Sequence, residues 1–366
     1  MASTKRKDLA FARTDGTSDG PATGRRRASL EIAPEAHEPD GGPVARAVSD
    51  GLLRADKRLP AWLFYDAEGS RLYEQITQLP EYYLTRAERS IFEKHSDAIV
   101  ASAAAQGVGP QDANPKGREP VRLHVAELGA GAATKTQVLL RAVVRRQGKT
   151  TFVPADVSRS ALEEGARRMA HEEPELTVLP ALGHHEDALG AIRAMPDRQL
   201  VLFIGSSIGN YAPDEARALL SSVRGSLRPG AAFLLGTDLK KSPGVLIPAY
   251  DDSRGVTAAF NKNVLRHINR ELGADFDVER FRHVALWNEA HSRIEMHLES
   301  LARQAVRIDA LGVDVILRKG ERIHTESSVK YDDAMVDSLL GSSGFGRERT
   351  FLDDDGRFAV HLAKAT

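Results

Sequence analysis

The chain has no cysteine among its 366 residues. That excludes disulfides, thiolate zinc sites and cysteine nucleophiles, and it agrees with a reducing compartment. Charge of one sign is also missing. A formal net charge of −1 gives no electrostatic reason to expect nucleic acid or an acidic membrane as a partner. No apolar run is long enough to span a bilayer, and the N-terminus lacks the hydrophobic segment of a signal peptide. The expectation is a soluble, cytoplasmic protein. Apolar residues are scarce at the start: residues 1–46 are rich in Gly, Pro, Ser, Arg and Asp and read as a disordered tail. Within it, Arg25-Arg26-Arg27-Ala28-Ser29 reads as a solvated charge run before it reads as a modification or anion site. Beyond the tail, 42% hydrophobic content supplies a sizeable core.

What is present is organised around VRLHVAELGAGAATKT, residues 121–136. It reads as a buried strand, then Gly129-Ala130-Gly131, then the start of a helix. The glycines let the backbone turn sharply and approach a ligand, while the helix N-terminus points free N–H groups into the same space. Asp156 closes the next strand, TFVPAD, where an acid accepts the two hydroxyls of a ribose. A pyrophosphate fingerprint needs a third glycine, and Thr134 stands in its place. Glu127 beside the turn repels a pyrophosphate and suits a cation. S-adenosylmethionine therefore fits better than a dinucleotide, and a nicotinamide dehydrogenase is disfavoured.

Alternation continues downstream. Strand 150–156 leads to helix 158–171, strand 175–181 to a helix from Glu186, and strand 199–205 to a helix capped near Pro213-Asp214; strand 231–238 follows. Five strands separated by helices predict a parallel sheet covered on both faces. The pattern then changes to helix over 241–273, to antiparallel strands over 281–327, and finally to helix 332–343 and a hairpin turning at Asp355-Gly356. The expected organisation is a tail (1–46), a lid segment (47–90), a cofactor domain (91–240), a substrate domain (241–330), and a C-terminal helix and hairpin (331–366) that complete the first sheet. Residues 105–120 read as a surface loop.

Several residues carry two readings each. Tyr65, Tyr73, Tyr82 and Tyr83 are four of 7 tyrosines, and they form either an aromatic packing layer or a pocket wall with hydroxyls aimed at a polar substrate. Asn210 in FIGSSIGNY ends a strand at the sheet's carboxyl edge; it either holds a zwitterionic amino acid or merely ends a turn. Asp251-Asp252 lacks a histidine cluster at metal spacing and reads as a cap or ion pair, so no metal site is expected. Glu326 and Ser328 share one side of a strand, where they grip a donor-rich ring such as imidazole or face solvent.

The set LPEYYLTRAE, ELGAGAATKT, FIGSSIGN, LLGTDL, AYDDSRGVTAAFN, ADFDVERFRHVALWN, RIEMHL and HTESSVKY resembles the histidine-specific N-alpha-methyltransferases of ergothioneine biosynthesis. The likeness runs from about residue 50 to the C-terminus. It implies an α/β fold, a class I methyltransferase Rossmann-like sheet with an inserted α+β substrate-binding domain. It also implies trimethylation of the L-histidine α-amine by S-adenosylmethionine, giving hercynine; separately, the chain is expected to be a monomer. By the same resemblance Tyr65 and Tyr82 match tyrosines beside the substrate amine, and Asn210 and Tyr250 hold amine and carboxylate. Glu326 and Ser328 match the imidazole-binding pair, and Met296 lines the pocket. Gly129, Gly131, Lys135 and Asp156 fall on cofactor-binding positions. One departure stands out: Gly183-His184-His185 replaces the family's Gly-Asp-Phe beside the adenine, so imidazoles must take over that contact. The rival readings are a tryptophan or other aromatic amino-acid methyltransferase, and a catalytically silent cofactor-binding subunit. Retention of Glu326 and Met296 speaks against the first, and the intact pocket set against the second.

Overall fold

Strand β1 (Leu123–Leu128) is buried at every position, the polar His124 and Glu127 included, as a strand covered on both faces requires. It lies at the centre of a sheet, parallel to β2 (Thr150–Asp156) on one side and β5 (Arg198–Phe203) on the other. The computed structural model describes residues 42–105 and 122–366. The sheet continues outward from β2 to β3 (Leu176–Val178) and β4 (Ala181–Leu182), and from β5 to β6 (Ala232–Asp238). The C-terminal hairpin, β12 (Phe345–Leu352) and β13 (Phe358–Ala365), closes the far edge, with β13 antiparallel to β6. The order β3-β2-β1-β5-β6-β13-β12 is the class I methyltransferase arrangement expected above.

Helices α4 (Thr136–Gln147), α5 (Arg159–Glu172), α6 (His185–Ala194) and α7 (Pro213–Ser226) connect the parallel strands. Opposite sheet faces feed different apolar clusters. Ala126, Leu128, Val201, Phe203 and Leu235 pack with the α6–α7 side. Val125, Leu200, Leu202 and Leu234 belong to a cluster that runs on into the N-terminal helices and the inserted segment. In that region α1 (Gly42–Leu52), α2 (Ala67–Thr77) and α3 (Leu84–Ala105) precede the sheet, while α8 (Pro243–Leu246) and α9 (Val256–Leu272) follow it. Next come β7 (Phe281–Asn288), β8 (Arg293–Ser300), β9 (Gln304–Ile308), β10 (Val313–Leu317) and β11 (Arg322–Val329), then α10 (Asp333–Ser342). β11, β8 and β7 form one antiparallel sheet, and β10 pairs with β9 in another.

Four boundaries differ from the sequence reading. The helix α1 begins at Gly42, inside the span expected as tail, because Ala45, Val48 and Leu52 supply a buried stripe. The rest of that tail, with Arg25–Ser29, lies outside the described residues, as does nearly all of the 105–120 loop. Strand 175–181 is split at Pro180, which has no N–H for the ladder. RIEMHLESLARQAVRI breaks after Ser300, whose N–H donates to Glu321 O (2.9 Å) and whose hydroxyl donates to Ala302 O (2.8 Å). Helix 241–273 is interrupted before α9, where Asp252 accepts backbone N–H bonds from Val256 (3.1 Å) and Thr257 (2.7 Å). That is the capping role expected for this aspartate.

Candidate active site

The carboxyl ends of β1, β2 and β5 open on a cleft of about 2100 Å³. This exceeds a typical single-ligand pocket of roughly 300–1,000 Å³ and leaves room for a cofactor and a substrate together. Its floor is the glycine turn. Gly129 and Ala130 donate N–H bonds to Ala155 O at 2.8 and 2.9 Å, fastening the turn to the end of β2. Gly129 (φ +71°) and Gly131 (φ +52°) take the left-handed conformation, and a Cβ on Gly131 would meet open space, so its bare backbone faces the cleft. Asp156 Oδ2 accepts the Gly131 N–H and Oδ1 the Ser158 N–H, both at 2.8 Å. Its carboxylate is thereby fixed beside the turn, with lone pairs remaining for hydroxyl donors.

Glu127, only 2% exposed, keeps Oε2 without a hydrogen-bond partner, and burial pushes its pKa up to about 8. Lys135 is ion-paired to Glu88, which is fully buried and also accepts the Gly205 N–H at 2.8 Å. Burial alone would lower the lysine's pKa, but Glu88, with Tyr73 and Glu127, offsets it and the net shift is upward. The departing histidines lie on the cleft wall. His185 Nδ1 meets the Tyr211 hydroxyl at 2.9 Å, and its ring stands edge-on to Phe203 at 5.1 Å. Burial lowers the His185 pKa, leaving a neutral ring. His184 meets Trp62 edge-on at 5.3 Å, joining the cofactor half to the N-terminal segment. A bare glycine turn, an acid fixed beside it, an unpartnered buried carboxyl oxygen and the aromatic wall of His185, Phe203 and Tyr211 together fit a cationic nucleoside.

Beyond the turn the cleft narrows into a chamber lined by Tyr65, Tyr73, Tyr82, Asn210, Tyr250, Met296, Glu326 and Ser328. All seven residues expected to contact substrate meet here, although they come from five separate stretches of chain. Phe260 of α9 packs against Tyr65 (5.8 Å) and Tyr73 (6.1 Å), and the Tyr73 and Tyr82 hydroxyls lie 3.5 Å apart. Burial raises the pKa of Tyr65, Tyr82 and Tyr250, so their hydroxyls stay protonated. Asn210 ends the 3-10 turn Ser207–Asn210 and also reaches β11. With its nitrogen turned to the strand, it donates to Ser327 O (3.0 Å) and Glu326 Oε1 (3.2 Å). It therefore ends a turn, as one of its two readings had it, and lies on the chamber wall where the other would place it.

A bulge decides which way Glu326 points. His324 pairs with His297 across the ladder but Glu326 pairs with Met296, leaving Thr325 as the extra residue. That insertion turns Glu326 and Ser328 onto the face of Ile294 and Met296, which is the buried one. Burial then raises the Glu326 pKa to about 7, with Lys330 opposing the shift.

Residues 44–365 match the family described as histidine-specific, S-adenosylmethionine-dependent methyltransferase. The chain belongs to this family. The histidine N-alpha-methyltransferase of Mycolicibacterium smegmatis is 41% identical over 320 residues, covering 87% of this chain and 94% of that one. Ergothioneine biosynthesis protein 1 of Neurospora crassa is 27% identical over 79% of this chain and 31% of its own length. The L-tryptophan methyltransferase of Psilocybe serbica is 27% identical over 87% of this chain and 92% of that one. This methyltransferase therefore uses S-adenosylmethionine, as the glycine turn and Glu127 indicated. Sequence reading missed Glu88, Asp238 and Lys330 as parts of the site. Each stands inside a quoted motif, Glu88 within α3, Asp238 at the end of β6 and Lys330 just past β11.

Proposed function

We propose that this methyltransferase transfers three methyl groups to the α-amine of L-histidine, giving hercynine for ergothioneine synthesis. The observation that carries the reading is Glu326 with Ser328 on one buried strand face, opening into a tyrosine-lined chamber continuous with the cofactor cleft. Imidazole has one N–H donor and one bare acceptor nitrogen, and a carboxylate with a hydroxyl satisfies both. In this reading residues 47–90 and 241–330 together form the substrate-binding unit. Gly129, Gly131, Lys135, Asp156, His184 and His185 hold the cofactor.

When bound, S-adenosylmethionine supplies an electrophilic methyl group already activated by its sulfonium. The protein's task is to hold a neutral amine in line with it, which removes orientational entropy from a two-substrate reaction. Tyr65 and Tyr82 orient the nitrogen through their hydroxyls. Burial keeps both hydroxyls protonated, so in this reading they orient the amine and its proton leaves to water through the open cleft. As hydrogen bonds to nitrogen are lost with each methyl, the aromatic faces of Tyr65, Tyr73 and Tyr82 seat the growing cation. Asn210, whose nitrogen is committed to Ser327 and Glu326, offers its oxygen to the substrate amine, and Tyr250 lies toward the carboxylate end.

The test is kcat/KM for histidine, tryptophan and phenylalanine under saturating cofactor. An unpaired buried polar group costs about 1–3 kcal/mol, so histidine should lead by roughly tenfold or more. Equal or better turnover of tryptophan would overturn the assignment.

A further inference from the structure

Lys330 stands just past β11 and is completely buried. Its ammonium lies 2.8 Å from Asp238 Oδ2, 2.7 Å from the Tyr250 hydroxyl and 2.9 Å from Ser328 Oγ. An ammonium has three N–H donors and no acceptor, so every donor is used inside the chamber wall and none reaches the substrate. Asp238 is held in turn by the Tyr83 hydroxyl at 2.8 Å and Lys241 Nζ at 2.6 Å. Burial, the largest influence, works to discharge Lys330, but Asp238 and Tyr250 together offset it and the net shift is upward.

The arrangement fixes the direction of two hydroxyls. Tyr250 and Ser328 each accept one N–H from Lys330, so neither can aim its own proton there. Their oxygens are 2.8 Å apart, and one hydroxyl proton is spent between them. The other proton is left over, and both side chains line the chamber. If Tyr250 donates to Ser328, the serine proton faces the chamber; if the serine donates, the tyrosine proton does. Either way the wall offers a donor.

We propose that Lys330 is a positioning residue that forces the Tyr250–Ser328 pair to donate into the substrate chamber, so that this wall selects a ligand with a hydrogen-bond acceptor. Glu326 lines the same chamber as an acceptor. Together they sort ligands by polarity pattern as well as by size. The role depends on the proposed function only for naming the ligand's acceptor as a histidine atom.

A double-mutant cycle on the full chain tests it. Lys330→Met removes the charge, while Asp238 keeps Tyr83 and Lys241 as partners. The expected result is a fall in kcat/KM of roughly tenfold or more, carried by KM, with S-adenosylmethionine affinity by calorimetry changed less than about twofold. In a Tyr250→Phe, Ser328→Ala background there is no hydroxyl left to orient, and the same substitution should change kcat/KM by less than about threefold. An equal loss in both backgrounds, or a parallel loss of cofactor affinity, would show that Lys330 merely supports the fold. Should Lys330→Met reduce soluble yield, Lys330→Met with Asp238→Asn removes the ion pair as a unit and is read by the same two criteria. The cycle uses whichever amino acid the wild type methylates. A wild type inert to histidine contradicts the proposed function; an additive cycle contradicts only the role of Lys330.

Discussion

Glu326 has burial raising its pKa to about 7, so its ionised fraction falls as pH drops through neutrality. Only the carboxylate accepts a ring N–H well, and a protonated carboxyl resembles an amide in shape and polarity. The kcat/KM advantage of wild type over Glu326→Gln should therefore be largest near pH 8 and shrink toward pH 6. Parallel pH profiles for histidine would place the carboxylate elsewhere. On the cofactor side, Asp156→Ala removes a charge-assisted acceptor and should weaken S-adenosylmethionine binding by about 1.5–3 kcal/mol, read by calorimetry. Unchanged affinity in a folded variant would remove Asp156 from the site. That Glu326 and Ser328 share one side of a strand, and that Asp156 ends one, was legible in the sequence from alternation and from the strand end; which side is buried was not. Lys330 and Glu88 were not. A lysine or glutamate next to an apolar stretch reads as solvent-facing until the fold brings up Asp238 or Lys135 as its partner.

Elements join the two halves of the site through backbone as well as side chains. The 3-10 turn Ser207–Asn210 lies so close to β11 that a Cβ on Gly209 would stand 2.9 Å from Val329 O and 3.0 Å from its N. Both atoms are strand backbone, with no flexible side chain to give way. Gly209→Ala should therefore push Asn210 off Glu326 and lower histidine kcat/KM by roughly tenfold or more, the loss of one buried polar contact. Cofactor affinity should change little, because the glycine turn after β1 is separate. Loss of both would mean that the turn supports the whole cleft. The parallel strands, helices and C-terminal hairpin follow from apolar periodicity, so they were readable in advance. The bulge at Thr325 was not, since a strand's extra residue is set by its partner β8 and leaves no local mark. The breaks at Pro180 and Ser300 depend on a missing N–H and on turn hydrogen bonds, which apolar alternation does not register.

At the scale of the molecule, burying acids around a cationic ligand makes stability depend on pH. The Glu127 pKa stands near 8 against an ordinary 4.5, so the folded protein binds more protons than the unfolded chain between those values. That stabilising contribution is complete below about pH 4.5 and is lost as pH rises through about 8. Without cofactor, Tm should fall between pH 6 and pH 8.5, and Glu127→Gln should flatten the decline; an unchanged slope would exclude this carboxyl as its source. The sheet face carrying Val125 and Leu202 shares one apolar cluster with Phe64, Phe260 and Leu265, so the substrate chamber and the cofactor cleft are built on a common core. The central claim is that this common site serves one amino acid and drives it to full N-methylation. Mass spectrometry of the products formed from an equimolar mixture of the twenty amino acids with excess S-adenosylmethionine tests it most directly. The account predicts histidine converted to its α-N-trimethyl form with the others left unmodified. Methylated tryptophan as the main product, or histidine recovered unchanged, would contradict it.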